Sequence, residues 1–319
     1  MFRMQIQSKK KCIWYCSAAV SFLLFLLLNL WCDHLVNMQD AQQMAGRWSK
    51  KKDVAQISCF FSSKAEVTED TIQSFEYSLK NVLQEASITE TSENPSARLW
   101  VDAYSADGKI TLVNGSNTLD ANAIGIGGDF FLFHPLKLIT GSYFSGNDLM
   151  QDYCIIDQDA AWQLFGSNDV VGMTVYIGNV PHIVTGVVRR PQGRMEKAAG
   201  LTSTVVYVSY ETLEAYGTSN GINHYEIVMP NPVDEFAYGK VKDGIGIDEK
   251  NVEIVENSRR YSLPNRIKTI LAFGTRSMNG KAIIYPYWEN LARGYEDMIA
   301  LHTVFMLFLL LYPIVTVIW

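Results

Sequence analysis

The sequence predicts an α+β fold: a split βαββ/βαβ sheet with an inserted mainly-β lobe, flanked by two transmembrane helices with stalk extensions. Two observations predict the flanking helices. Residues 12–32 and 298–319 contain no formally charged side chain, and about 20 apolar residues span a bilayer as a helix. A third observation predicts the sheet, because strand and helix signals alternate between these two runs. The mean hydropathy of +0.02 is therefore an average over two apolar ends and an ordinary domain.

The first apolar run is predicted to be a membrane anchor rather than a cleaved signal peptide. It is longer than the roughly 7–15 residues of a signal-peptide core, and no small-x-small cleavage site follows it. A lipoprotein site at Cys32 is disfavoured because Trp31 precedes it. Lys9, Lys10 and Lys11 favour a cytoplasmic N-terminus, which places the long middle segment outside the cell.

The middle segment is acidic. Residues 33–297 carry 23 basic and 33 acidic side chains, a balance that disfavours nucleic acid or anionic lipid as the main partner. The second apolar run reaches Trp319 without a basic cluster beyond it. We therefore expect the chain to be a C-terminally truncated part of a longer protein.

The first part of the middle segment predicts a stalk followed by a βαββ unit. The helical period of the first span continues without a breaker to Gly46, which predicts an outward helical stalk. Residues 53–61 predict a strand, and Thr68 is a good N-cap for the helix that follows. Two extended runs, 98–105 and 109–113, are predicted to form a hairpin that turns between them. The apolar stripe of the helix comprises Ile72, Phe75, Leu79 and Leu83.

The last part predicts a βαβ unit, and an insertion separates the two units. Residues 222–229 and 252–256 predict strands, and Asn231 and Pro232 predict the start of a helix that runs to about Lys242. The insertion covers about residues 128–200 and is mostly β. Its elements are a strand at 153–156, a helix at 158–165 ended by Gly166, and a hairpin of 174–177 and 182–188 around Gly178 and Asn179.

Several motifs of the insertion occur in the order and spacing of a known family. They are Gly128, Asp129, Phe130 and Phe131; residues 138–145 around Gly141; Ile155, Ile156 and Asp157; Leu164, Phe165 and Gly166; residues 171–175 around Gly172; and residues 184–188 around Gly186. Over residues 128–188 the sequence resembles the MacB-like periplasmic core domain of the MacB/FtsX-like ABC permease family. The resemblance implies a porter-like α+β lobe and an inserted sabre-like lobe, both outside the cytoplasm.

The resemblance also implies partners. Members of the family work with a cytoplasmic ABC ATPase subunit, form homo- or heterodimers of permease subunits in the lipid bilayer, and carry four spans, three of them after the domain. This sequence departs in two ways: it shows one span after the domain, and Ser142 stands where the family has a basic residue.

No motif in the sequence supplies catalytic chemistry. A P-loop and a G-x-S-x-G elbow are both missing from these residues. The glycines at 125, 127 and 128 precede Asp129 rather than a helix N-terminus, which favours a bend between lobes over a phosphate loop. Asp157 and Asp159 lack the continuation of a calcium loop and favour a helix cap.

The spacing of the titratable and metal-ligating side chains along the sequence predicts no catalytic or metal site either. The five histidines are widely scattered, and none has a partner at zinc-like spacing (His34, His134, His182, His224 and His302). We therefore expect no catalytic, cofactor-binding or metal residues, no cofactor and no enzyme activity. Cys59 and Cys154 lie in apolar strand runs and are expected to be free buried thiols, with a disulfide as the alternative.

One segment carries a functional hypothesis. Residues 259–261, 285–290 and 292–294 lie between the predicted domain and the second span. Tyr and Trp just outside a span favour an interfacial aromatic belt; the rival interpretation is a stalk that couples domain motion to the membrane helices, and both can hold together. Glu289 and Arg293, at positions i and i+4, would support a stalk helix in either case.

These patterns predict a protein of the bacterial cell membrane with three parts: a tail, span and stalk (1–52), an extracytoplasmic core domain (53–258), and a stalk with a second span (259–319). The function that the resemblance implies is a permease-type subunit that couples a separate cytoplasmic ATPase to movement of its external domain, for export or mechanotransmission. The alternative is a membrane-anchored extracytoplasmic binding or sensor module without an ATPase partner.

Overall fold

The computed structural model describes residues 2–50, 53–89, 98–273, 283 and 285–318. It consists of two compact units. One, the membrane unit, comprises residues 1–39, 259–277 and 292–319. The other, the domain unit, comprises residues 40–258 and 278–291.

The domain unit is built on a sheet. Its strands are β1 (Val54–Phe61), β2 (Val101–Asn114), β3 (Asn117–Gly128), β4 (Lys137–Gly141), β5 (Tyr153–Asp157), β6 (Thr174–Ile177), β7 (Val180–Arg189), β8 (Val205–Ser209), β9 (Thr218–Ser219), β10 (His224–Pro230) and β11 (Val252–Glu256). They pair in the order β11-β1-β10-β2-β3-β8-β5-β7-β4, with β6 against β2 and β7, and β9 against β2. The pairs β3–β8 and β5–β7 are parallel, and the other pairs are antiparallel.

Ten α-helices occur in the described residues. They are α1 (Phe2–Asn37), α2 (Met44–Trp48), α3 (Glu69–Glu85), α4 (Phe130–Phe133), α5 (Gln158–Phe165), α6 (Arg194–Ala198), α7 (Tyr210–Tyr216), α8 (Phe236–Gly244), α9 (Leu263–Leu271) and α10 (Tyr287–Ile318). Two of them contain stretches long and apolar enough to cross a membrane, Ile13–Asn37 and Tyr287–Thr316. The predicted fold class, a mixed α/β sheet domain with an apolar helix on each side, is confirmed.

The two predicted lobes share one continuous sheet. The strands of the βαββ and βαβ units (β11, β1, β10, β2 and β3) form one half. β8, which follows the insertion in sequence, pairs in parallel with β3 and joins this half to the insertion strands β5, β7 and β4. Two apolar cores lie against this sheet. One contains the apolar stripe of α3, buried as predicted, and the other contains Phe130, Phe133 and Trp288.

The predicted hairpin at residues 106–108 is wrong. β2 runs through this position without a break, and its turn lies at Gly115 and Ser116, where Asn114 pairs with Asn117. Gly108 is needed for another reason. A Cβ there would lie 2.4 Å from the carbonyl oxygen of Thr218 and 2.9 Å from a methyl of Leu213. The glycine therefore permits close packing of β9 and α7 onto the strand rather than a turn.

Other boundaries also differ from the predictions. α1 ends at Asn37, and a 3₁₀ turn at Asp40–Gln42 separates it from α2, so the predicted uninterrupted stalk is wrong. The glycines at 125 and 127 lie inside β3 rather than in a bend; only Gly128, with φ +63°, ends the strand. α8 begins at Phe236 and not at Pro232, although the side chain of Asn231 still accepts a hydrogen bond from the backbone of Ala237.

The local predictions within the insertion are confirmed. α5 and β6 have the predicted bounds, and Gly166 ends α5 in the left-handed conformation with φ +71°. Asp157 caps α5 by accepting a 2.8 Å hydrogen bond from the backbone nitrogen of Ala160. Cys59 and Cys154 are both free and fully buried, so the disulfide alternative is wrong.

Candidate functional site

The most unusual side chains of the domain unit lie on one face of strand β10. His224 and Glu226 are two residues apart on this strand, so their side chains point to the same face. His134 joins them from the segment that follows α4. All three side chains are buried, and we call them the His–Glu cluster.

The donor atoms of the His–Glu cluster converge. Nε2 of His134 lies 2.7 Å from Oε2 of Glu226, and Nε2 of His224 lies 3.6 Å from Oε1. One potential ligand atom from each residue lies within 4.8 Å of the other two, and no second group of this kind occurs among the described residues. Despite this proximity, neither Nε2 atom nor Oε2 makes a hydrogen bond of acceptable geometry within the described part of the chain.

Polar residues on and next to the neighbouring strands contact Glu226 and His224 through their side chains. Ser58 pairs with Glu226 across β1 and β10, and its hydroxyl donates to Oε1 of Glu226. The amide of Asn257 donates in turn to Ser58 Oγ at 2.6 Å. On the other side, Ser105 of β2 lies 3.3 Å from Nδ1 of His224. These contacts fix the carboxylate and one imidazole in orientation.

Aromatic rings enclose the histidines. The ring of Trp288, in the first turn of α10, lies 4.3 Å from the His134 ring and 5.2 Å from the His224 ring, measured between centroids. Phe130 lies 4.7 Å from His134, and Phe60 stacks on His224 at 5.1 Å. The cluster therefore lies in an apolar enclosure, which strengthens electrostatic interactions within it.

A cation from another helix positions His134. Arg47 of α2 donates to the carbonyl oxygens of Leu132 and Phe133, at 2.6 Å and 3.3 Å. These are carbonyls at the C-terminal end of α4, where a positive charge is favourable. Because His134 follows directly, Arg47 fixes the backbone from which this histidine projects.

The burial of the cluster changes its acid–base properties. Burial alone would raise the pKa of Glu226, but the two adjacent histidines hold its pKa well below the usual range. For His134, burial lowers the pKa because the charged imidazolium loses its hydration, and Glu226 opposes this effect. Glu226 is therefore an ionised carboxylate beside two imidazoles.

This cluster was not predicted from the sequence. The five histidines are scattered along the chain: His134 and His224 are 90 positions apart, and neither has a nearby partner of the zinc-finger type. A signal was present in the strand predicted at 222–229. Strand alternation places His224 and Glu226 on one face of an otherwise apolar strand, and polar residues buried in this way need partners.

The segment predicted to be a stalk or an aromatic belt divides between the two units. Tyr285 and Trp288 are buried in the domain unit, where Tyr285 packs edge-on against Phe60, so the belt hypothesis is wrong for these two side chains. In the membrane unit, Arg260 is buried and its Nε donates to Glu296 at 2.6 Å. The pairing of Glu289 with Arg293 stays a prediction.

The membrane unit is a helical hairpin. Ser17 and Tyr312 are joined by a 2.7 Å hydrogen bond between hydroxyls, and Ser21 donates to the carbonyl of Leu309 at 2.8 Å. Residue numbers rise along α1 as they fall along α10, so the two helices are antiparallel. An open groove of about 550 Å³ between them is lined by apolar residues: Leu24, Leu27, Leu28, Trp31, Phe305, Phe308 and Leu309.

Curated relatives match a limited part of the chain. The macrolide export ATP-binding/permease protein MacB of Pasteurella multocida is 30% identical over 100 residues, which are 31% of this chain and 15% of that protein. The protein of the same name from Chromobacterium violaceum is 31% identical over 96 residues, 30% of this chain and 14% of that protein. The chain therefore matches about one seventh of the length of these relatives.

Two solved structures are similar at low identity. The extracellular domain of the noncanonical ABC-type transporter YknZ from Gram-positive bacteria has a TM-score of 0.40 and 19% identity, covering 63% of this chain and 99% of that one. The periplasmic region of MacB from Actinobacillus actinomycetemcomitans has a TM-score of 0.40 and 19% identity, covering 64% and 89%.

The family model gives the broadest match. The model of the MacB-like periplasmic core domain matches residues 39–256, which is more than half of the chain and most of the domain unit. With apolar helices on both sides of this region, the protein is a membrane protein with an extracytoplasmic domain. The chain belongs to the family of the MacB-like periplasmic core domain.

Proposed function

We propose that the protein is a permease-type membrane subunit of a MacB/FtsX-like ABC system and that its external domain moves when a separate cytoplasmic ATPase acts. One observation carries the proposal: the family domain is bracketed by two apolar helices that pack as an antiparallel hairpin. An antiparallel pair crosses a bilayer twice and returns to the starting side. Both outer ends of the pair then face one compartment, where an ATPase can act on them.

We propose that ATP is hydrolysed by a separate subunit, as the family resemblance implies. Their names combine ATP binding with a permease, whereas these 319 residues contain no P-loop. We assign ATP hydrolysis to a second subunit and expect two permease subunits to face each other in the bilayer, as homo- or heterodimers. The division into residues 1–52, 53–258 and 259–319 remains part of this proposal.

The coupling of membrane helices to the domain has support within each unit. α10 begins at Tyr287 in the domain unit and continues from Ala292 in the membrane unit, so one helix belongs to both. Within the membrane unit, the hydroxyl of Tyr261 donates to the side chain of Gln39, just after α1. Arg260, beside it, pairs with Glu296 of α10. The chain that leaves β11 is thus tied to both helices.

Co-purification tests the proposal. The tagged 319-residue chain is extracted in mild detergent from membranes of the bacterium that encodes it, and retained proteins are scored for an ABC-type ATPase. A control chain keeps the domain but has α1 replaced by an unrelated single-span anchor. We expect the ATPase with the natural chain and not with the control.

A natural chain that is folded and membrane-inserted but retains no ATPase would contradict the permease assignment. That outcome would favour the membrane-anchored binding or sensor module instead.

A second measurement tests coupling itself. In the reconstituted complex, Arg260→Ala removes the buried ion pair with Glu296, so ATPase association should persist while the ATP-driven change in the external domain falls severalfold. Lys250→Ala, at an exposed pair with Asp248, serves as the matched control and should change neither. Equal coupling in both variants would argue against a role for the stalk contact.

A further inference from the structure

The His–Glu cluster leaves three buried polar atoms facing one another without satisfactory hydrogen bonds. These atoms are Nε2 of His134, Nε2 of His224 and Oε2 of Glu226, and the statement covers the described residues. A buried polar atom without a hydrogen bond destabilises the folded protein, and native proteins contain few of them. Three at one point therefore need a common partner.

We propose that the His–Glu cluster is a binding site for a divalent transition-metal ion, with zinc the best match. Two imidazole nitrogens and one carboxylate are a ligand set that zinc uses in proteins, usually with water in the fourth position. Histidine binds a metal ion in its neutral form, so a ligand set of two imidazoles and one carboxylate carries one negative charge, which a divalent cation compensates in the apolar enclosure. Magnesium and calcium fit less well because they prefer all-oxygen ligands.

The distances suit such an ion. Ligand atoms around tetrahedral zinc lie about 3.3 Å apart when the metal–ligand bonds are about 2.0–2.1 Å. The ligand atoms of the three residues lie within 4.8 Å of one another, a range from which side-chain rotations can bring them to this spacing. Nε2 of His134 lies 2.7 Å from Oε2, so this pair must open by about half an ångström on binding. A change of that size requires only small side-chain rotations.

Residues around the His–Glu cluster orient its potential ligand atoms. Ser105 lies against the second nitrogen of His224, and Ser58 donates to the carboxylate, with Asn257 behind it. Partners of this kind orient metal ligands and set their tautomers. A bare ion-pair network is the rival explanation; it accounts for the pairing of Glu226 with the two histidines but leaves Oε2 and both Nε2 atoms without a hydrogen bond.

The metal would tie together parts of the chain that are far apart in sequence. His134 follows α4, His224 and Glu226 lie on β10, and Trp288 of α10 closes the enclosure. An ion at this point would therefore stabilise the packing of the first turn of α10 within the domain unit.

The experiment measures metal on the full chain. The protein, carrying a tag without histidines, is purified in detergent, stripped with a chelator, incubated with micromolar zinc and passed through a desalting column before elemental analysis. Cobalt is used in parallel, because tetrahedral Co²⁺ has a characteristic visible absorption. We expect about one zinc per chain, a tetrahedral cobalt spectrum that zinc abolishes, and a melting temperature that rises with zinc.

Variants locate the site. Glu226→Gln and His134→Ala should reduce retained zinc at least tenfold, whereas His34→Gln, at an exposed histidine of the membrane unit, should leave it unchanged. Less than about a tenth of an equivalent on a folded natural chain, with no cobalt spectrum, would overturn the proposal. Equal zinc on all three variants would also overturn it, by showing adventitious binding elsewhere. If the cluster variants fail to fold, the cobalt spectrum and the zinc-dependent melting of the natural chain still decide.

Discussion

Replacing Trp288 by alanine tests whether the start of α10 belongs to the core of the domain. The tryptophan is 4% exposed and packs against Phe130, His134 and His224. A side chain of this size buries about 200–250 Å², and alanine replaces only a small part of that area. At about 25 cal/mol per Å², the lost burial is worth about 4 kcal/mol, within the about 3–5 kcal/mol typical of such truncations.

The assay is thermal unfolding of the full chain in detergent, followed by a probe that reports the domain. For a domain of this size, 1 kcal/mol corresponds to about 2–4 °C, so Trp288→Ala should lower the melting temperature by about 10 °C. Hydrogen exchange of the β10 backbone amides should become faster in the same variant, because the domain opens more often. Trp162→Ala is the matched control, because Trp162 is 55% exposed on α5 and should cost less than about 1 kcal/mol.

The result that would refute the reasoning is equal behaviour of the two variants. If Trp288→Ala melts within about 2 °C of the natural chain, Trp288 is not a core residue. It would then belong to an interfacial aromatic belt, as one of the two sequence interpretations held. The packing of α10 onto the His–Glu cluster would have to be abandoned with it.

Three further predictions address packing, thiol reactivity and orientation. Gly108→Ala should destabilise the domain by about 1–3 kcal/mol, because the added Cβ would collide with β9. Gly46→Ala in α2 meets open space and should stabilise the domain by about 0.5–1 kcal/mol. Equal melting temperatures of the two variants would contradict this prediction. Cys59 and Cys154 should resist alkylation at pH 8 until the protein is denatured, because burial raises the pKa of both thiols, that of Cys154 to about 12. Mass spectrometry of the labelled protein measures this, and labelling of either cysteine in the folded chain would contradict the prediction. A cysteine introduced by Ser116→Cys, in the exposed turn after β2, should react with an impermeant maleimide added outside intact cells, and protection until lysis would reverse the proposed orientation.

Elements specified by adjacent residues could be predicted from the sequence. The bounds of α5 follow from a capping carboxylate at Asp157 and a left-handed Gly166, with the eight residues of the helix between them. The hairpin at Gly178 and Asn179 follows from two residues that tolerate positive φ. In both places the determining interactions lie within one or two turns of chain, so a single sequence contains them.

Elements specified by residues that are distant in sequence could not be predicted in this way. Residues 106–108 look like a turn, yet β3 pairs along this whole stretch of β2 and β9 pairs with Gly108, so the stretch stays extended. The glycine there serves packing against Leu213, about a hundred positions away. The His–Glu cluster fails for the same reason, because nothing near His134 in sequence indicates that β10 will bring Glu226 to it.

The two chain ends of the domain are attached to one pair of strands. On the entering side, the backbone of Met44 donates to Oε1 of Gln56 on β1, and Nε2 of the same side chain donates to the carbonyl of Ala41. On the leaving side, Trp288 packs on His224 of β10. β1 and β10 are hydrogen-bonded over seven residue pairs and are flanked by β11 and β2, so neither is an edge strand.

This arrangement bears on how a force would enter the domain. Load from either apolar helix would enter the domain at β1 and β10, two central strands that are paired over seven residues. We predict that the domain then moves as one body instead of unfolding locally. A metal ion at the His–Glu cluster would bind two residues of β10 and reinforce the point at which α10 is anchored.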